Sequence, residues 1–146
     1  MNEQRIKKLI PLKRRRDLFL IEGDANAPFG LVSWGSVAGV AMEAVQLARR
    51  EGIQVKLIVP KMLFPVPEEI YHEFFASVKR GLVIEQSHQG QLFRVLLMYV
   101  DVPAGVVSLA KSGSNPIVPE AVVERLRKMA LALQRGRVPE TEPQLG

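Results

Sequence analysis

The chain holds two histidines, His72 and His88, and no cysteine, which narrows the chemistry it can perform. The histidines fall on different segments, without the His-Glu-x-x-His spacing that puts two imidazoles on one helical face. Cysteine-containing zinc sites, iron–sulfur ligation and thiolate catalysis by this chain are excluded. Ser33 and Ser36 have no evident base, and Gly35-Ser36-Val37-Ala38-Gly39 is not a nucleophile elbow because Val37 holds the central position. Neither a Walker A sequence nor a paired-glycine dinucleotide fingerprint occurs. Two short polar stretches remain, Ser33-Trp34-Gly35-Ser36 and Glu85-Gln86-Ser87-His88. Their backbone N–H groups and side chains suit docking or the holding of an anion, and no proton-transfer step is specified.

The elements before and after these stretches must position them. Phe29 to Val32 form an apolar run suited to a buried strand, Gly35 can take backbone angles closed to other residues, and Ser36 is a favoured N-cap. The helix predicted behind it, Val37 to Glu51, has apolar positions at Val37, Val40, Ala41, Ala44, Val45 and Ala48, with Gly52 as its stop. In the same way Leu82-Val83-Ile84 predicts a strand that leads through a loop, Glu85 to Gly90, into a helix carrying Leu92, Val95, Leu96 and Tyr99.

Three more strands are predicted: Leu18 to Ile21, the alternating run Ile53 to Val59, and Val106 to Ala110. Glu68-Glu69 should open a helix buried through Ile70, Phe74, Phe75 and Val78, with His72 at its surface. Pro119-Glu120 should open the last helix, with Val122, Val123, Leu126, Met129, Ala130 and Leu133 inward. Strands alternating with helices predict an α/β sandwich with a largely parallel sheet and right-handed crossovers.

At 146 residues and 47% hydrophobic, the chain fits one domain with a real core. The formal net charge of +5 is unevenly placed: Lys7, Lys8, Lys13, Arg14, Arg15 and Arg16 crowd the beginning. Such a short basic run reads first as a solvated leader and second as a site for an anionic partner. No apolar run is long enough to cross a bilayer, and Leu18 to Ile21 is too short for a signal-peptide core, so no membrane partner is expected and the location expected is cytoplasmic; the basic run is too short a signal for nucleic acid to be expected.

Four motifs in order and spacing carry a resemblance. They are Val32-Ser33-Trp34-Gly35-Ser36; Leu63-Phe64-Pro65-Val66-Pro67-Glu68-Glu69; Val83-Ile84-Glu85-Gln86 with Gly90-Gln91-Leu92; and Ser108-Leu109-Ala110-Lys111 before Gly113 and Pro116. Together they resemble the C-terminal domain of the alpha subunit of 2-oxoacid:ferredoxin oxidoreductases, thiamine diphosphate enzymes whose alpha subunit ends in a transketolase C-terminal-like domain. The resemblance covers about Glu3 to Leu133. It implies a basic linker or leader helix over 1–16 and a transketolase C-terminal-like domain over 17–135, and the residues after Gly136 read as a flexible tail over 136–146.

For the fold, the resemblance implies a three-layer α/β/α sandwich with a five-stranded mixed sheet in the order 1-3-2-4-5, strand 1 antiparallel. That order brings the ends of strands 2 and 4 together, making Ser33, Trp34, Gly35, Ser36, Glu85, Gln86 and His88 the candidate contact or ligand surface. For function it implies a noncatalytic assembly domain of an enzyme that converts a 2-oxoacid and coenzyme A to acyl-CoA and carbon dioxide, with electrons passing to ferredoxin. Thiamine diphosphate and the iron–sulfur cluster would lie in other domains or subunits, with none in this chain, and Gly23-Asp24-Ala25 reads as a turn. The partners expected are those subunits, ferredoxin through the complex, and a possible second copy. The alternative is a free-standing α/β module with an anionic ligand at the carboxyl edge of the sheet. Since Glu85 and His88 are both expected on a loop, replacing the two together should weaken assembly and spare folding.

Overall fold

Apolar runs bounded by glycine and proline form the sheet, and helices of period three to four cover it. The computed structural model of the chain describes residues 18–62, 66–86, 90–111 and 116–135. The strands are β1 (Phe19–Glu22), β2 (Phe29–Ser33), β3 (Val55–Pro60), β4 (Arg80–Glu85) and β5 (Val106–Ala110). The helices are α1 (Ala38–Arg50), α2 (Glu68–Phe75), α3 (Gln91–Tyr99) and α4 (Pro119–Gln134). The five strands lie in the order β1-β3-β2-β4-β5, with β1 antiparallel to β3 and every other pairing parallel. This is the mixed sheet that the resemblance implied. The predicted leader over 1–16 and tail over 136–146 lie outside the described residues.

Alternation along the strands divides the core in two. Phe29 and Leu31 of β2, Leu57 of β3, and Leu82 and Ile84 of β4 face α1 and α4, where Ala41, Ala44, Val45, Val122 and Leu126 meet them. Small alanines on α1 let that helix lie close to the sheet. On the opposite face Val32, Ile58 and Val83 pack against Ile70 and Phe74 of α2 and against Leu92 and Leu96 of α3. Leu31, Leu57 and Leu82 are fully enclosed, and burial of a side chain of that size contributes about 1.5–3 kcal/mol. Tyr71 stands in the second cluster with its ring 6.3 Å from that of Phe19, edge to face. Burial pushes its hydroxyl pKa well up.

Several boundaries differ from those predicted. β3 begins at Val55 and both of its faces are covered, so Lys56 is only 3% exposed where the alternation expected a polar outer face. Its ammonium donates to the Ala25 carbonyl at 3.0 Å and lies 4.8 Å from the centre of the Phe74 ring. Burial lowers the Lys56 pKa, and Asp24 opposes that shift. β4 runs on to Glu85, which therefore belongs to a strand and not to the loop expected for it. Tyr99, set on the helix pattern of α3, is 46% exposed. Among the described residues no helix is long and apolar enough to cross a membrane.

Candidate functional site

β2 and β4 are neighbours, with Ser33 opposite Ile84, so the two polar stretches meet at the carboxyl edge of the sheet. From there the chain leaves β2 toward α1 on one face and leaves β4 toward α3 on the other. That divergence is the topological switch point of an open α/β sheet.

The first stretch is a sharp elbow. Trp34 is extended, Gly35 takes a left-handed φ of +74°, and a single 3-10 turn, Gly35–Val37, leads into α1. A side chain at Gly35 would meet no neighbour, so its backbone angle is what favours glycine. Ser36 does not cap α1: it lies exposed within the 3-10 turn, Val37 holds the cap position, and neither the turn nor the helix has a side-chain cap. The predicted cap fails because the chain tightens for one turn before the helix opens. Trp34 is half-buried against the cluster on the α2 and α3 face. Ser33 is fully buried, and its hydroxyl has no hydrogen-bond partner among the described residues.

The second stretch is used internally. Glu85 is 1% exposed. Its Oε1 accepts the Leu92 N–H at 2.9 Å and its Oε2 accepts the Phe93 N–H at 3.1 Å, so one carboxylate serves two donors in the first turn of α3. The negative charge also complements the positive end of the helix. Gly90 precedes that turn with φ +63°, and a side chain there would crowd the Ser108 hydroxyl at 3.0 Å. Gln86 bridges in the other direction: its amide donates to the Lys111 carbonyl at 2.9 Å and its carbonyl accepts the Ile117 N–H at 3.4 Å. Ser87 and His88 lie outside the described residues.

The structure thus brings Ser33 to Ser36 and Glu85-Gln86 together, and of these described residues Gly35, Ser36 and part of Trp34 and Gln86 face outward. Sequence reasoning missed two roles, the Glu85 cap on α3 and the Gln86 bridge. The available signal for the first was a carboxylate a short loop ahead of a helix whose own N-cap is a glycine. His72 is exposed as predicted, and its Nε2 accepts the Asp101 N–H at 3.3 Å. An open groove of about 650 Å³ lies at the other, amino edge, lined by Phe29, Ile53, Leu131 and Leu133, with the Glu51–Arg127 ion pair beside it.

The comparisons with known proteins fit this geometry. Residues 27–122 match the family described as pyruvate:ferredoxin oxidoreductase core domain II. The chain belongs to that family. The match runs from the residue before Pro28 into α4, and so takes in the whole switch point. The chain is 26% identical over 110 residues to the alpha subunit of 2-oxoacid:ferredoxin oxidoreductase 2 of Aeropyrum pernix, covering 75% of this chain and 17% of that protein. It is similar in structure to the 2-oxoglutarate:ferredoxin oxidoreductase of Magnetococcus marinus, solved with 2-oxoglutarate, coenzyme A and succinyl-CoA bound. That likeness has a TM-score of 0.70 at 33% identity and covers 75% of this chain and 19% of the other. A split-gene transketolase, described as an inactive β4 tetramer, shares the fold with a TM-score of 0.51 at 21% identity, over 80% of this chain and 40% of that one. The chain therefore spans about a fifth of the length of the Aeropyrum and Magnetococcus proteins.

Asp24 Oδ1 accepts the Asn26 N–H at 2.9 Å, which closes a turn on itself at the amino edge of the sheet. No cysteine is available for iron. Among the described residues no three His, Cys, Asp or Glu side chains gather as a metal site would require.

Proposed function

We propose that this chain is a noncatalytic assembly domain of a thiamine diphosphate-dependent 2-oxoacid:ferredoxin oxidoreductase. The enzyme would convert a 2-oxoacid and coenzyme A to acyl-CoA and carbon dioxide and deliver the electrons to ferredoxin, in the cytoplasm. Thiamine diphosphate and the iron–sulfur cluster belong, on this reading, to the remaining domains or subunits. The observation that carries it is the family match over a chain that spans only about a fifth of the Aeropyrum alpha subunit and of the Magnetococcus oxidoreductase chain. The use of Glu85 and Gln86 as internal braces supports it, since the polar groups at the carboxyl edge are committed to shaping loops.

Coexpression with the other subunits tests the proposal. The chain should copurify with them, and the isolated chain should bind neither thiamine diphosphate nor iron and oxidise no 2-oxoacid. Replacing Gly35 with alanine should weaken copurification by disturbing the elbow. A chain that stays apart from the other subunits and instead binds inorganic phosphate at Ser33 to Ser36 would support the free-standing module.

A further inference from the structure

We infer that the groove at the amino edge is the docking site of this chain's own residues after α4, with Val138 and Pro139 over its apolar floor and Glu140 and Glu142 at the arginines that end α1. The groove runs between the last turns of α4 and the bend that follows α1, over Phe29 and Ile53. Leu131 stands at its lip, 52% exposed, so a cover of apolar residues would take that surface out of water.

Topology selects the segment that reaches it. β1 is antiparallel, so Phe19 stands beside Pro60 at the carboxyl edge, and residues 1–17 join the fold across the sheet from the groove. α4 ends at Gln134, which itself lines the groove, so residues 136–146 start at its lip. Gly136 is the residue type that ends a helix in a left-handed turn, after which apolar residues commonly pack back on the last turns. Val138-Pro139 are the first apolar residues past that glycine.

Distance and charge agree with this path. α1 and α4 share one face of the sheet, and packed helices lie about 8–10 Å apart, which about three extended residues cross at ~3.3 Å each. Val138 and Pro139 then fall over the floor, and Glu140 and Glu142 arrive at the end of α1. The basic last turn of that helix is Arg49-Arg50, both exposed and without an ion-pair partner among the described residues. Arg49 lines the hollow that continues the groove past Gly52, Ile53 and Gln54. The leader, with Lys7, Lys8 and Arg14 to Arg16, would bring like charge to the same place.

The chain has no cysteine, so a disulfide between introduced residues reads the placement in the full chain. Gln54→Cys with Val138→Cys should close an intramolecular disulfide about tenfold faster than Lys128→Cys with Val138→Cys, since Lys128 is exposed on α4 outside the groove. Adding Leu131→Asp should remove that advantage. Equal rates for the two pairs would overturn the inference and leave the groove to a partner subunit. A fast Gln54 pair that ignores Leu131→Asp would overturn it as well, because the segment would then pass the groove without resting on its floor. If a paired variant does not fold, melting of the single variant Leu131→Asp decides: a midpoint lowered by several degrees supports the cover, and an unchanged midpoint refutes it.

Discussion

Replacing Glu85 with glutamine should destabilise the whole fold, because the carboxylate satisfies two backbone donors at once. Glutamine keeps one acceptor oxygen and puts an amide nitrogen where the other stood, so either the Leu92 or the Phe93 N–H loses its partner. Losing one charge-assisted bond costs about 1.5–3 kcal/mol, and loss of the charge at the helix N-terminus adds roughly 0.3–1 kcal/mol. The total is about 2–4 kcal/mol. For a domain of this size 1 kcal/mol moves the melting midpoint by about 3–5 °C, so the midpoint should fall by roughly 6–20 °C. Glu85→Ala should cost more, since both donors then go unsatisfied in a largely buried place. Circular dichroism melting gives the stability, and hydrogen exchange at the Leu92 and Phe93 amides locates the loss. A Glu85→Gln protein that melts with the wild type, or one whose loss leaves those two amides unaffected, would refute the reasoning. The expectation from sequence ran the other way, since it placed Glu85 on a loop whose replacement would spare folding.

Ser36→Ala should change stability by only a few tenths of a kcal/mol, below the ~1 kcal/mol typical of a true N-cap, because Ser36 caps nothing here; urea titration measures it. The Lys56 ammonium titrates below its ordinary 10.5 in the fold. Between the two values the unfolded chain holds the extra proton, so stability should rise with pH through the window just under 10.5. Lys56→Met should abolish that rise. Comparing the two proteins in urea at a series of alkaline pH values cancels the opposite slope from Tyr71, whose hydroxyl burial raises above 10.0. Arg127→Met should return Glu51 toward its ordinary 4.5, since the Arg127 hydrogen bond is the main cause that lowers it; side-chain NMR titration reads the change.

The large elements were legible because their signals were local. β5 was read correctly from its apolar run between Gly105 and the polar loop, and Pro119-Glu120 marked the start of α4 by first-turn chemistry. Strand order was not in the periodicity at all and came through the four family motifs. The misreadings share one cause, a polar residue whose partner lies far away along the chain. Lys56 reads as an outward position until Ala25 and Phe74 are seen around it. Glu85 reads as the start of a loop until the first turn of α3 folds back onto it. Ser36 erred on the local side: its residue type was right for a cap, but the 3-10 turn moved the helix start past it. Of the candidate surface, the meeting of the two stretches was legible, whereas the inward commitment of Ser33, Glu85 and Gln86 was not.

The bridge from Gln86 to Lys111 and Ile117 has a consequence for how this part of the chain can vary in length. One side chain just past the end of β4 holds both ends of the connection between β5 and α4. The span between them begins and ends at fixed points, whatever its own length. Doubling a loop anchored in this way costs only about 0.6 kcal/mol in closure entropy. Relatives could therefore enlarge or replace this connection at the carboxyl edge without disturbing the sheet beneath it, and a peptide tag inserted between Lys111 and Ile117 should leave the fold intact for as long as Gln86 remains.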